Sequence, residues 1–212
     1  MRWESERDSV FEAALRRALD VALAAAALLA LAPLLALLCL VLRVESPGPV
    51  LFRQVRHGLR YRPFRMLKFR TLRFGAPDPY AGYEMQADDP RITRVGGFLR
   101  RTSLDELPQL LNVLAGDMSL VGPRPLDAWE SERCLATHPE RFGVKPGLTG
   151  LAQVNGRNAL SFARRAELDV VYARHRTLLQ DLSILLRTPG VMLSGRGLYP
   201  AQRASEDTTR WT

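Results

Sequence analysis

Asp105 and Glu106 are adjacent carboxylates set among cations. Arg100 and Arg101 lie just upstream, and Gly122-Pro123-Arg124-Pro125 lies downstream. Prolines on both sides of Arg124 restrict its backbone, and a guanidinium held this way can grip phosphate through paired hydrogen bonds. Lys68, near the end of an apolar stretch, adds a point charge, and Arg157 closes the glycine-bounded loop Gly150–Arg157. Within that loop Gln153 and Asn155 carry amides that can recognise a base or a sugar. Acids among cations suit phosphate chemistry. A carboxylate can attack phosphorus and form an acyl phosphate, and magnesium can bridge it to a pyrophosphate. The plainer reading of the pair is structural: acids at a helix N-terminus complement its dipole, and neighbours on a helix project about 100° apart. Composition and spacing permit both readings.

The elements that must position these residues follow from periodicity. Val50-Leu51-Phe52 and Phe64–Phe69 read as strands, with a hairpin turn at His57-Gly58-Leu59-Arg60. Gly75 to Pro90 reads as loop. Gly96 to Gly116 reads as helical, with Ser103 and Glu106 in a capping-box pattern and Pro108 in the first turns. Leu104, Leu107, Leu110, Leu111 and Leu114 form a stripe that faces either a core or a membrane interface. Trp129–Arg141 and Ser161–His175 read as further helices, and Lys145-Pro146-Gly147 opens a loop running to Asn158. Leu182–Leu186 is apolar and is interrupted by Pro189-Gly190.

Val21 to Leu42 contains no charged residue. Its 22 positions would make roughly 33 Å of helix, enough to cross a hydrocarbon core of about 30 Å. Pro33, near its middle, removes a backbone donor and favours a kink or break. Arg16 and Arg17 precede the run, and Arg43, Arg53, Arg56 and Arg60 follow it, so both ends prefer the same side of a membrane. A helix that enters, bends at Pro33 and returns satisfies both signals. A plain spanning helix is the alternative, since proline is tolerated in such helices.

The chain has 212 residues, a net charge of +8 and 47% hydrophobic residues, which fits a folded domain with a basic surface. Such a surface can meet nucleic acid, anionic lipid or a phosphorylated substrate. The apolar segment and the lack of a recognition helix or aromatic-basic platform argue against nucleic acid. Cys39 and Cys134 have no metal-ligand spacing and read as free thiols. A basic, membrane-anchored binding protein without catalysis is the principal rival, and it would make Asp105 dispensable.

Three ordered motifs carry a resemblance: Leu99-Arg100-Arg101-Thr102-Ser103-Leu104-Asp105-Glu106-Leu107-Pro108-Gln109, Gly116–Pro125, and Lys145-Pro146-Gly147-Leu148-Thr149-Gly150 leading into Gln153–Arg157. Together they resemble the bacterial sugar transferases, the monotopic phosphoglycosyl transferases, over about Phe11 to Leu193. The resemblance implies a mostly α, membrane-associated α/β fold with short strands and interfacial amphipathic helices. It places a proline-broken re-entrant helix in residues 1–45, the catalytic domain in 46–200 and a polar tail in 201–212. It implies that Asp105 attacks a nucleotide diphosphate sugar, usually a UDP-sugar, and releases UMP. Undecaprenyl phosphate then takes the phosphosugar, with Glu106 as acid-base or orienting group. Magnesium matches Asp105 and the substrate phosphates. Phosphate and nucleotide contacts match Lys68, Arg100, Arg124 and Arg157, and Asp169 matches a family position of undefined role. The implied location is the cytoplasmic face of the bacterial inner membrane; a homodimer is compatible with the sequence. Two positions depart from the pattern: Ala32-Pro33 replaces Ser-Pro, and Leu151 stands where many relatives have tryptophan.

Overall fold

The computed structural model describes residues 10–76, 89–195 and 197. The apolar run forms one helix, α1, over Val10–Glu45, which is long and apolar enough to cross a membrane. Ser46-Pro47-Gly48-Pro49 ends it, as the turn chemistry requires. Arg16, Asp20, Ala24, Leu38 and Leu42 are its buried residues, spaced so that one narrow stripe faces the rest of the protein. Flanking residues such as Leu28 and Leu35 are half-buried against the cores, and the opposite side is exposed and largely apolar, with Leu29 77% and Val44 79% accessible. An exposed apolar surface of that extent is compatible with membrane association. Pro33 lies on the exposed side, and the helix assignment continues through it. The expected break is therefore not seen as an interruption of the helix.

Both halves of α1 rest on the same folded body. Near its start, Arg17 donates to the carbonyls of Val113 and Leu114 at 2.6 and 2.8 Å. Asp20 accepts from the Ser119 hydroxyl and the Leu120 amide at 3.0 and 2.9 Å. Arg16 pairs with Asp181 at 2.7 Å, and the Tyr172 hydroxyl donates to the same carboxylate at 2.6 Å. Charges so placed on an apolar helix are affordable only because each has a partner. Towards the far end, Leu38 and Leu42 pack with Phe69 and Leu99.

After α1 the hairpin β1 (Leu51–His57) and β2 (Pro63–Phe69) pairs antiparallel, with Phe52 opposite Lys68. Helices α2 (Arg94–Thr102) and α3 (Gln109–Ala115) follow, joined by a 3-10 turn, Leu104–Glu106. The continuous helix expected over Gly96–Gly116 is thus divided. Ser103 adopts a left-handed conformation, φ 57°, which ends α2, and α3 restarts after Pro108. The leucine stripe faces the core, with Leu107, Leu110 and Leu114 in the main cluster, while Leu111 is 44% exposed.

Strand β3 (Ser119–Val121) pairs in parallel with β4 (Gly147–Thr149), inside the segment expected to be loop. The two backbones approach so closely that a Cβ on Gly147 would lie 2.1 Å from the Gly122 nitrogen. Only glycine fits that contact, which explains why both motifs carry it. Helices α4 (Ala128–Thr137), α5 (Leu151–Val154), α6 (Phe162–His175) and α7 (Leu178–Ser194) complete the described fold. Asp127 and Ser161 cap α4 and α6 as N-cap acceptors. Helix α7 runs through Pro189 and Gly190, which were expected to interrupt it. Its Leu179 and Leu186 are 80% and 73% exposed, a second apolar face beside α1. Leu151 packs against the main core, so at this position the side chain serves packing. The loop reading for Gly75–Pro90 falls largely, and the polar tail wholly, outside the described residues.

Candidate active site

The turn Leu104–Glu106 gives its two carboxylates different surroundings. Glu106 is clamped. Its Oε1 accepts from Lys68 Nζ at 3.0 Å and from Arg124 Nη2 at 2.6 Å, and its Oε2 accepts from Arg124 Nη1 at 3.3 Å. Burial opposes its ionisation, but the Arg124 and Lys68 charges outweigh burial and hold the carboxyl well below the ordinary range. This corrects the capping box. Glu106 reaches to cations across the site, and Ser103 makes no side-chain cap to the turn. The Ser103 hydroxyl instead accepts from Arg157 Nη2 at 3.1 Å.

Asp105 is buried, yet it accepts no hydrogen bond and makes no ion pair among the described residues. Burial raises its pKa to about 6, a rise that Lys68 moderates and the Glu106 charge reinforces. One carboxylate is thus held ionised as a structural anion. Its neighbour is kept basic and unengaged, a state in which a carboxylate can act as a nucleophile.

Strand, helix and loop each deliver one cation. Asn112 on α3 holds β2 by accepting from the Leu67 amide at 2.9 Å and donating to the Arg65 carbonyl at 2.8 Å, which fixes the strand beside Lys68. Arg100, on the last turn of α2, donates from Nε to the Thr71 hydroxyl at 2.8 Å. Arg157, itself at φ 55°, has one buried guanidinium nitrogen, Nη1, with no partner among the described residues. Both carboxylates of the pair lie within its electrostatic reach.

The Arg124 loop is fastened from behind. Arg141 Nη2 donates to the Arg124 carbonyl at 2.8 Å, and the same guanidinium binds Asp169 Oδ2 at 2.7 Å. Both side chains are almost wholly buried. Asp169 therefore stands one shell away from the chemistry and acts on Arg124 through Arg141. Arg141 escaped the sequence reading because it lies in a helical stretch with no motif around it.

The structure brings Lys68, Arg100, Asp105, Glu106, Arg124 and Arg157 together. Gln153 lies in the segment that packs on Gly122, two residues before Arg124: both of its amide atoms are buried without a partner among the described residues, and a Cβ on Gly150 would fall 2.8 Å from its Oε1 and 2.1 Å from the Gly122 carbonyl. Asn155 is held by partners outside this set. Its amide donates to the Leu151 carbonyl at 2.7 Å and accepts from Arg187 at 3.0 Å.

Among the described residues no cluster of three His, Cys, Asp or Glu side chains could hold a metal by itself. Magnesium fits the donor set all the same. It binds through one or two carboxylates with the rest of its shell from phosphate and water, and Asp105 is a carboxylate left unengaged by protein.

Comparison with known proteins identifies the family. The sequence model of the family described as bacterial sugar transferase matches residues 11–195. The chain belongs to that family and is a transferase. It is 45% identical over 192 residues to a UDP-glucose:undecaprenyl-phosphate glucose-1-phosphate transferase of Caulobacter vibrioides, covering 87% of this chain and 72% of the relative. A protein of the same name from Escherichia coli is 42% identical over 82% of this chain and 39% of its own length. The Bacillus subtilis "uncharacterized sugar transferase EpsL" is 41% identical over 79% of this chain and 81% of its own. The chain thus spans most of the first and third relatives and about two fifths of the second.

Proposed function

We propose that this transferase moves a sugar-1-phosphate from a UDP-sugar to undecaprenyl phosphate and releases UMP. Asp105 carries the phosphosugar between the two half-reactions as a covalent aspartyl phosphate. The observation that carries this reading is the contrast within the pair: a buried, unpartnered Asp105 beside a Glu106 already neutralised by Lys68 and Arg124. The names of the Caulobacter and E. coli relatives supply the donor and acceptor classes.

In the first half-reaction an Asp105 oxygen attacks the sugar-bearing phosphorus and the bond to UMP breaks. Lys68, Arg100 and Arg124 neutralise the pyrophosphate, and Arg157 and Gln153 face its nucleotide side. Magnesium, when bound at Asp105, would offset charge developing on the phosphate oxygens. Glu106, fixed between two cations, orients them rather than shuttling protons. In the second half-reaction an anionic oxygen of the acceptor phosphate forms the new bond to phosphorus, and the Asp105 carboxylate leaves. The dianionic acceptor has no proton to lose, so the step balances without a base.

The membrane part of the proposal is a re-entrant α1 in residues 1–45 and a catalytic body in 46–200, on the cytoplasmic face of the inner membrane. Support comes from both halves of α1 resting on one folded body, from the exposed leucines of α7, and from arginines at both ends of the apolar run. Exchange of labelled UMP into UDP-sugar without acceptor tests the covalent scheme. Exchange that depends on Asp105 is expected; turnover with acceptor but no exchange would replace the scheme with direct transfer.

A further inference from the structure

A cavity of about 280 Å³ opens from Asp105. Its inner end is polar, formed by Asp105, Lys68 and Arg100. Beyond them the walls are Leu51, Phe52, Phe69, Leu72 and Phe74. Of the three polar side chains along these walls, Arg70, Thr71 and Arg73, two are already committed. The Thr71 hydroxyl accepts from Arg100, and Arg70 donates to the carbonyls of Pro47 and Ser46 at 2.8 and 2.7 Å. Among the described residues no asparagine, glutamine or serine lines the cavity, so these walls offer no side-chain amide to read the polar edge of a nucleobase. Gln153 and Arg157, which have unpartnered buried nitrogens, are not among the lining residues. Pro49, four residues past the end of α1, also lines the cavity, so the cavity borders the segment that leaves that helix.

Resting on the function proposed above, we infer that this cavity is the acceptor subsite: it holds the first isoprene units of the polyprenyl phosphate, while the nucleoside of the donor lies towards Arg157 and Gln153. Cations at one end and aromatic walls at the other match a lipid phosphate read from its head inward. The phosphate locus is shared by UMP and the acceptor, as a two-step exchange on Asp105 requires, and only the tails diverge. The volume is at the small end for ligand sites, so the cavity takes the head of the chain and leaves the remainder in the bilayer.

Two side chains at the mouth test this with little risk to folding. Phe74 is 62% exposed, and Ala76 also lines the opening. Phe74→Ala and Ala76→Trp are expected to raise the KM for undecaprenyl phosphate roughly tenfold or more. The yield of phosphosugar adduct from UDP-sugar alone should stay within about twofold of wild type, because the subsite is outside the donor's path. An equal loss of adduct formation would give the cavity to the nucleotide and overturn the inference, as would an unchanged acceptor KM in both variants. A second measurement does not depend on turnover. Farnesyl phosphate with a diazirine on its first isoprene, added to the full chain in detergent, should crosslink within Pro49–Phe52 or Phe69–Ala76 and be displaced by undecaprenyl phosphate. Crosslinking confined to other segments overturns the subsite even if the covalent scheme stands. Crosslinking here in a protein that forms no adduct would uphold the subsite while the covalent scheme fails.

Discussion

Replacing Asp105 by asparagine is expected to abolish turnover and, at neutral pH, to stabilise the protein. Burial raises the Asp105 pKa from an ordinary 3.8 to about 6 in the folded state. The folded state therefore binds a proton that the unfolded state gives up, and stability falls as pH rises through that window. At about 1.4 kcal/mol per pKa unit, the carboxylate costs roughly 3 kcal/mol once pH is well above 6. Asparagine is nearly isosteric and stays neutral, so it removes that cost. Below pH about 3 the wild-type side chain is neutral in both states and the two proteins should match. The difference should open between pH 4 and 6 and level off above. For a chain of this size it corresponds to a rise in Tm of about 6–12 °C. Thermal melts of both proteins in one detergent, recorded from pH 4 to 8, provide the assay. A variant less stable than wild type at pH 8, or a difference that does not change with pH, would refute the assignment of Asp105 as a buried, unpartnered carboxylate.

Donor half-reaction rates should rise with pH and level off above about 6, since Asp105 must be ionised to attack. In Glu106→Gln the limb should move to lower pH, because the Glu106 charge is one of the influences that raise the Asp105 pKa. Asp169→Asn leaves Arg141 buried without its counter-charge and is expected to destabilise the protein by about 3–5 kcal/mol in denaturant titrations. In the fraction that folds, the donor KM should rise and the pH limb should stay in place, since Asp169 acts through Arg141 on the Arg124 loop. Arg16→Ala, which strands Asp181 at the α1–α7 contact, should lower stability by a similar amount without changing the donor KM.

Sequence periodicity located the strands around Lys68, the helices Ser161–His175 and Trp129–Arg141, and the end of α1 at the Ser-Pro-Gly-Pro turn, because each is decided by local pattern. It failed where a tertiary contact overrides the local preference. Ser103 has an N-cap residue type, but it takes a left-handed conformation and serves Arg157, and Glu106 is drawn to Lys68 and Arg124 rather than to its own turn. The parallel pairing of β3 with β4 joins segments more than twenty residues apart and rests on glycine contacts that no periodicity reveals. The candidate site was legible as a set of residues because motifs mark them. The contrast within it was not: a sequence places Asp105 and Glu106 side by side, and only burial and ion pairing separate the clamped carboxylate from the unengaged one. Asn155 looked like a recognition residue by type and proved to be held by Leu151 and Arg187.

The central claim is that Asp105 carries the phosphosugar. Intact-protein mass spectrometry after mixing the enzyme with magnesium and a panel of UDP-sugars, without acceptor, tests it most directly. The account predicts an added sugar-phosphate mass in the wild type that is absent in Asp105→Asn and is discharged by undecaprenyl phosphate. An adduct that persists in Asp105→Asn, or one that undecaprenyl phosphate does not discharge, would contradict it.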